Sequence, residues 1–179
     1  MLFCSSLYFG GMTTLVKDFT DSKFFVGVLE YVSLQISPEK LVLGVPWYGY
    51  DYICDPGISV DDDCYIKKVP FRGVNCSDAA GRQIEYSTIN DLLIARSEHG
   101  RKWCKKYNSP YFNYLDSIGH AHQVWYDDPD SLSMKYQFAR DSKLKGIAVW
   151  NSDLLDYSDL TRAKYQTRAM WDALQLVVA

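Results

Sequence analysis

The stretch Lys40–Tyr52, Lys-Leu-Val-Leu-Gly-Val-Pro-Trp-Tyr-Gly-Tyr-Asp-Tyr, constrains the fold most. Leu41 to Val45 is a short apolar run and predicts a strand buried on both faces, as in a parallel sheet. Pro46 breaks the run, and Trp47, Tyr48, Tyr50 and Tyr52 follow around Gly49 as an aromatic loop. A buried strand opening into such a loop is the make-up of an α/β site at a strand's carboxyl end. Aromatic faces also suit sugar rings, whose axial C–H bonds pack on a π face while their hydroxyls find phenols and amides. Core packing is the competing reading of the same rings, since most aromatics pack.

Around this stretch the chain has an α/β rhythm. Phe25, Leu29, Val32 and Ile36 fall on one helical stripe from Ser22 onward. Ser37-Pro38 ends that helix, because a residue before proline avoids the α region. Residues 51 to about 122 have weak periodicity, all three histidines and several turn signals, and predict an irregular insertion. Ile84–Tyr86 and Gln123–Tyr126 are its candidate strands. Order returns at Asp128-Pro129, an N-cap with proline at the first helical position. The helix it starts is expected over about 130–143, with Leu132, Tyr136 and Ala139 inward. Gly146–Trp150 is a second short strand ending in a tryptophan. A last helix is expected over about 160–177, with Ala163, Met170, Leu174 and Val177 on one face.

The 179 residues suit about one domain, and 47% hydrophobic content excludes disorder. A net charge of −3 argues against nucleic acid or an anionic membrane as partner. No run approaches the ~18 apolar residues of a membrane span. The apolar N-terminus, Met1–Met12, lacks a basic start and a small-residue cleavage site, and makes a poor signal peptide. Of five cysteines, Cys54, Cys64 and Cys76 cluster beside the sequon Asn75-Cys76-Ser77. A bridge such as Cys54–Cys64 and a set of free thiols both fit, and Cys4 and Cys104 complete the odd count. His120 and His122 form an H-x-H pair with Asp116 and Asp127 near in sequence. No third ligand has a convincing position, and no metal is expected. Asp61–Asp63 lacks the alternating ligand spacing of a calcium loop and is expected to be solvated.

Leu41-Val-Leu-Gly-Val-Pro-Trp-Tyr-Gly-Tyr50 resembles the seventh barrel strand of the chitinase-like glycoside hydrolases of family 18. Tyr126-Asp-Asp-Pro-Asp-Ser-Leu132 through Leu144-Lys-Gly-Ile-Ala-Val-Trp150 resembles the family's last helix–strand unit. Val69–Gly73, Cys76–Arg82, His122–Asp127 and the tail Gln166–Leu174 are similar to one lysosomal exoglycosidase branch of it. The resemblance runs from about residue 26 to the end. It implies an α/β fold, the last two βα units of a TIM (β/α)8 barrel, over 26–179. The irregular insertion, about 51–122, would lie between the two strands, and 1–25 would be a divergent N-terminal segment. It also implies hydrolysis of N-acetylglucosamine linkages in the chitobiose cores of N-glycan remnants, no cofactor, and a lysosomal or extracellular location.

Family 18 hydrolysis is substrate-assisted. The sugar's own N-acetyl oxygen attacks the anomeric carbon, and one glutamic acid in Asp-x-x-Asp-x-Asp-x-Glu protonates the leaving oxygen, unlike the two-carboxylate scheme. That motif does not occur in these residues. Asp153-Leu-Leu-Asp156 begins like it but continues Tyr157-Ser158-Asp159-Leu160, without a glutamate. The sixth strand's Met-x-Tyr-Asp is also missing. A full barrel takes about 250 residues. The expectation is therefore an inactive fragment with no catalytic residue of its own, or a non-catalytic sugar-binding or interaction remnant. By resemblance, Trp150 floors the subsite of the cleaved sugar and Tyr48 lies near it. Tyr50 stands where many relatives carry a substrate-contacting arginine. Asn151 could reach a hydroxyl or cap the loop. The expected ligand is an N-acetylglucosamine oligosaccharide, and the oligomeric state is left open. Two barrel strands by themselves leave open edges. A partner copy, or a substitute strand such as Leu7-Tyr-Phe9, would have to cover them.

Overall fold

A computed structural model describes residues 28, 31–54, 64–67, 69–70, 80–105 and 107–175. The expected strand at Leu7–Phe9, the sequon, Asp61–Asp63, Cys4, Cys76, Phe25, Leu29 and Val177 lie outside them. Residue 28 and residues 31–33 are helical, so the first expected helix ends before Ser37-Pro38. Val32 on its expected inner stripe is exposed.

Two sheets follow. Strand β1, Val42–Pro46, pairs in parallel with β7, Gly146–Trp150, in the register Val42↔Gly146 through Pro46↔Trp150. The connection between them carries all the other described strands and two of the helices. The strand expected to be buried on both faces is buried on one. Leu43 and Val45 are covered, whereas Val42 and Gly44 are exposed. A Cβ added at Gly44 or Gly146 would meet nothing within 4 Å.

The described residues of the insertion are not irregular. They fold as a five-stranded antiparallel sheet in the order β3-β2-β6-β5-β4. The strands are β2 Tyr48–Ile53, β3 Arg82–Glu85, β4 Lys102–Cys104, β5 Ser109–Leu115 and β6 Ala121–Tyr126. Tyr48, Tyr50 and Tyr52 are therefore strand residues, not a loop. Their alternation with Gly49 and Asp51 is the period of a strand with two different faces. Helix α1, Tyr86–Arg96, covers one face with Tyr86 and Ile89. That face offers Ile84, Gly49, Tyr126, Val124 and Phe112. The missing side chain at Gly49 lets Ile89 approach, because a Cβ there would lie 2.6 Å from Ile89 Cδ1 and 2.6 Å from the Trp125 carbonyl oxygen.

Helix α2, Pro129–Asp141, starts as expected. The Asp128 carboxylate accepts from the Ser131 N–H at 3.0 Å, and the Ser131 hydroxyl accepts from the Asp128 N–H at 3.0 Å. This reciprocal cap satisfies two otherwise orphaned donors. Leu132, Tyr136 and Ala139 are buried. Helix α3, Thr161–Gln175, packs on α2 and buries Ala163, Met170 and Ala173. One core links the two sheets, with Trp47 at the joint between β1 and β2. Its indole N–H donates to the Tyr136 hydroxyl at 3.1 Å, and its ring meets Trp171 edge-on at 5.0 Å.

Candidate functional site

The carboxyl ends of β1 and β7 lie side by side, because parallel pairing sets Pro46 opposite Trp150. Trp150 closes β7 and Trp47 follows β1, and the two tryptophans differ in burial. Trp47 is fully buried and its N–H donates to the Trp150 carbonyl at 2.7 Å. Trp150 is 69% exposed. The Trp150–Asn151 peptide is cis. Asn151 precedes the short helical turn Ser152–Leu154. Its side chain makes no cap bond, and its carbonyl accepts from the Leu154 N–H at 3.3 Å.

Tyr48 begins β2 next to this end and is half-buried. Its phenol is pushed above the ordinary range by burial first, then by Tyr50 and by the Asp127 carboxylate. Tyr50 lies edge-on to Tyr48 at 6.0 Å and stacks with Tyr52 at 6.0 Å. Tyr48, Tyr50, Trp150 and Asn151 are all placed; Tyr48 and Tyr50 contact each other, and Trp150 is tied to β2 through the Trp47 backbone. At neutral pH the phenols stay protonated and present O–H groups, which can donate to or accept from sugar hydroxyls.

Sequence reasoning missed the buried ion pair beside Tyr48. Asp127 accepts from Lys135 Nζ and, at 2.8 Å, from the Ser131 hydroxyl. Neither charged side chain is more than 1% exposed. Burial pushes the Asp127 carboxyl up, while the charge and hydrogen bond of Lys135 and the Ser131 hydroxyl act against that. The signal was present: Lys135 falls on the stripe Ser131, Leu132, Lys135, Tyr136, Phe138, Ala139, a cation at a core position. Such a position needs a buried anion as partner.

His120 and His122 belong to a separate cluster at the other end of the insertion sheet. His122 Nδ1 is 2.8 Å from Asp51 Oδ1, and the Tyr114 hydroxyl donates to Asp51 Oδ2 at 2.9 Å. Arg82 donates to the same oxygen at 3.0 Å. Asp116 lies 3.3 Å from His120 Nδ1 and 3.5 Å from His122 Nε2, whereas Asp127 is committed to Lys135. Among the described residues no group of three His, Cys, Asp or Glu side chains is arranged to hold a metal ion. Cys54 and Cys64 form a disulfide, and Cys104 is a free, half-buried thiol. No described helix is long and apolar enough to cross a membrane.

The parallel strand pair, ending in an exposed tryptophan, continues directly into an antiparallel sheet faced with tyrosines. The sequence model of "Glycosyl hydrolases family 18" matches residues 5–154, and the chain belongs to that family. Di-N-acetylchitobiase of Mus musculus is 51% identical over 149 residues, covering 83% of this chain and 40% of that protein. Di-N-acetylchitobiase of Homo sapiens is also 51% identical, over 83% of this chain and 38% of its own length. The chain thus spans about two fifths of the length of these relatives. The fold is similar to that of a family 18 chitinase from Cycas revoluta solved with allosamidin. The TM-score is 0.58 at 22% identity, over 83% of this chain and 37% of that one.

Proposed function

We propose that this chain is the sugar-flooring, C-terminal part of a chitobiase-type glycosidase, made of the last two βα units of a TIM barrel. The bare face of Val42, Gly44, Gly146 and Ala148 supports the barrel reading. In a barrel interior, small side chains on one strand pair leave volume for larger ones from the others. Among the described residues, β1 and β7 pair only with each other, which leaves two edges for neighbouring strands.

The observation that carries the sugar reading is Trp150, 69% exposed at the carboxyl end of β7 in a chain of this family. Its ring is the floor for an N-acetylglucosamine unit, with Tyr48, Tyr50 and Asn151 as the polar wall. Hydrolysis of N-acetylglucosamine linkages in chitobiose cores belongs to the barrel with its upstream glutamic acid. These 179 residues contain no Asp-x-x-Asp-x-Asp-x-Glu. This chain by itself therefore binds the sugar and does not cleave it. The Cys54–Cys64 bridge supports an oxidising compartment, lysosomal or extracellular.

The test is calorimetric titration of the chain with di-N-acetylchitobiose, with product analysis of the same mixture. Binding that is lost in Trp150→Ala, with no N-acetylglucosamine released, is the expected result. Release of N-acetylglucosamine by this chain sinks the non-catalytic reading. Unchanged affinity in Trp150→Ala sinks the assignment of the floor. Trp150→Ala is expected to change stability by less than about 0.5 kcal/mol, since the ring is a surface residue.

A further inference from the structure

Three successive backbone carbonyls, starting at the end of β7, each accept a hydrogen bond. That of Trp150 accepts from the Trp47 N–H at 2.7 Å, and that of Asn151 from the Leu154 N–H at 3.3 Å. The Ser152 carbonyl accepts twice, from the Leu155 N–H at 3.4 Å and from the Tyr157 hydroxyl at 2.9 Å. The Trp150 ring is 69% exposed, so its direction is set chiefly by the backbone that carries it. That backbone is held from Trp47 on one side and from Tyr157 on the other.

Tyr157 contributes through its hydroxyl rather than its ring. It is 59% exposed, so the ring adds little to the core. The hydroxyl is used twice: it donates to Ser152 and accepts from the Trp171 indole N–H at 3.3 Å. Trp171, on α3, meets the Trp47 ring edge-on at 5.0 Å. The segment that carries Tyr157 is fastened to α3 as well, because the Thr167 hydroxyl donates to the Asp156 carbonyl at 2.7 Å. A closed circuit of contacts therefore runs from Trp150 through Trp47, Trp171, Tyr157 and Ser152, and back through Asn151. A phenylalanine at 157 would fill the same space and open that circuit at one atom.

We propose that Tyr157 is a positioning residue for Trp150: its hydroxyl fixes the loop that follows the tryptophan, and with it the pitch at which the exposed ring meets a sugar. The inference rests on the sugar-binding reading of Trp150 and deepens it. Tyr157 acts through the Ser152 carbonyl and needs no contact with the sugar. A ring already held in its bound orientation loses less freedom when the ligand packs on it. Two features set this apart from a hydroxyl that serves folding alone. Both of its hydrogen bonds lie on an exposed tyrosine, where they add little to stability. One of them ends two residues from the exposed ring, with Asn151 between the two anchored carbonyls.

The test labels the full chain with 5-fluorotryptophan and titrates it with di-N-acetylchitobiose by calorimetry. The five tryptophans each carry a fluorine resonance, and that of Trp150 is identified by its loss in Trp150→Ala. Tyr157→Phe should move or broaden the Trp150 resonance, leave those of Trp103 and Trp125 in place, and weaken disaccharide binding roughly two- to fivefold. Its Tm should stay within about 2 °C of the wild type, a split that a residue serving folding alone would not give. Tyr165→Phe, at another exposed tyrosine on α3, should change none of these. An unmoved Trp150 resonance in Tyr157→Phe overturns the proposal. So does an unchanged affinity, or a loss of affinity accompanied by a fall in Tm beyond that range. Disaccharide affinity that survives Trp150→Ala overturns the floor assignment instead, and the fluorine resonance still decides whether Tyr157 sets the ring, so the two readings fail separately.

Discussion

Lys135→Met isolates the cost of an unpaired buried charge. Lys135 and Asp127 are 1% and 0% exposed, so water can solvate neither side chain. Removing the ammonium leaves the Asp127 carboxylate with the Ser131 hydroxyl as its remaining described side-chain donor. Breaking a buried pair from one side costs about 3–5 kcal/mol, because the other charge stays desolvated. For a chain of this size each kcal/mol is worth about 2–4 °C in Tm. The expected fall is therefore about 6–20 °C, read by urea or thermal unfolding. The pH dependence supplies a second signature. Burial already pushes the Asp127 carboxyl up. Without Lys135 it rises further, and a carboxyl raised in the folded state stabilises below its unfolded pKa and loses that contribution as pH rises through the folded one. The penalty of Lys135→Met should therefore shrink between neutral pH and about pH 4. The double variant Asp127→Leu with Lys135→Met removes both charges and should recover most of the loss. A single-variant cost under about 1 kcal/mol, or a penalty that does not change with pH, refutes the reasoning.

Gly49→Ala should cost about 3 kcal/mol or more, because the added Cβ would lie 2.6 Å from Ile89 Cδ1 and 2.6 Å from the Trp125 carbonyl oxygen, a backbone atom. Urea unfolding measures it; Ile89→Ala should relieve only part of the loss, and a cost under about 1 kcal/mol would refute the clash. Reducing Cys54–Cys64, which are 10 residues apart in sequence, should lower stability by about 3 kcal/mol on the loop-entropy account. Comparing the chain with and without reductant measures it, and no change would mean that the unfolded loop is already restricted. Asp116 is pushed up by partial burial, but the backbone N–H groups of His120 and Ile118, the charge of His120 and a hydrogen bond from His122 outweigh that and hold it below the ordinary range. A lowered carboxyl stabilises above its unfolded pKa and is lost on acidification. The turn between β5 and β6 should thus loosen only below about pH 4, seen as movement of the Ile118 and His120 amide resonances. Movement centred well above that pH would contradict the assignment.

The parallel pair and α2 were legible because their signals are local. An apolar run of five bounded by proline, and Asp128-Pro129 before an apolar stripe, each specify an element without reference to the rest of the chain. Of the insertion, only the strands at Gln123–Tyr126 and, in part, Ile84–Tyr86 were legible, because its order is held by cross-strand partners far apart in sequence. Tyr50 pairs with Gln83 and Trp125. Period-two alternation at Tyr48, Tyr50 and Tyr52 was visible, yet an adjacent glycine and proline favoured a loop. Helix α1 escaped notice because its apolar residues do not form one stripe: Ile94 is exposed while Ile89 is fully buried. Trp47 and Trp150 follow similar strands and looked alike. What separates them is that Trp47 can reach Tyr136 and Trp171 on α2 and α3, and no local pattern encodes that. Lys135 was passed over for a simpler reason: helical lysines are normally read as solvated.

Only Trp47 separates β1 from β2, so the insertion sheet is a rigid extension of the β1 backbone, like a lever on a short axle. The axle is clamped by a hydrogen bond to Trp150 on one side and by Tyr136 and Trp171 on the other. The pitch of the tyrosine-faced sheet over the exposed tryptophan is therefore set by how α2 and α3 seat one indole. Substitutions at Tyr136 or Trp171, which belong to the helical layer, would tilt that sheet relative to Trp150.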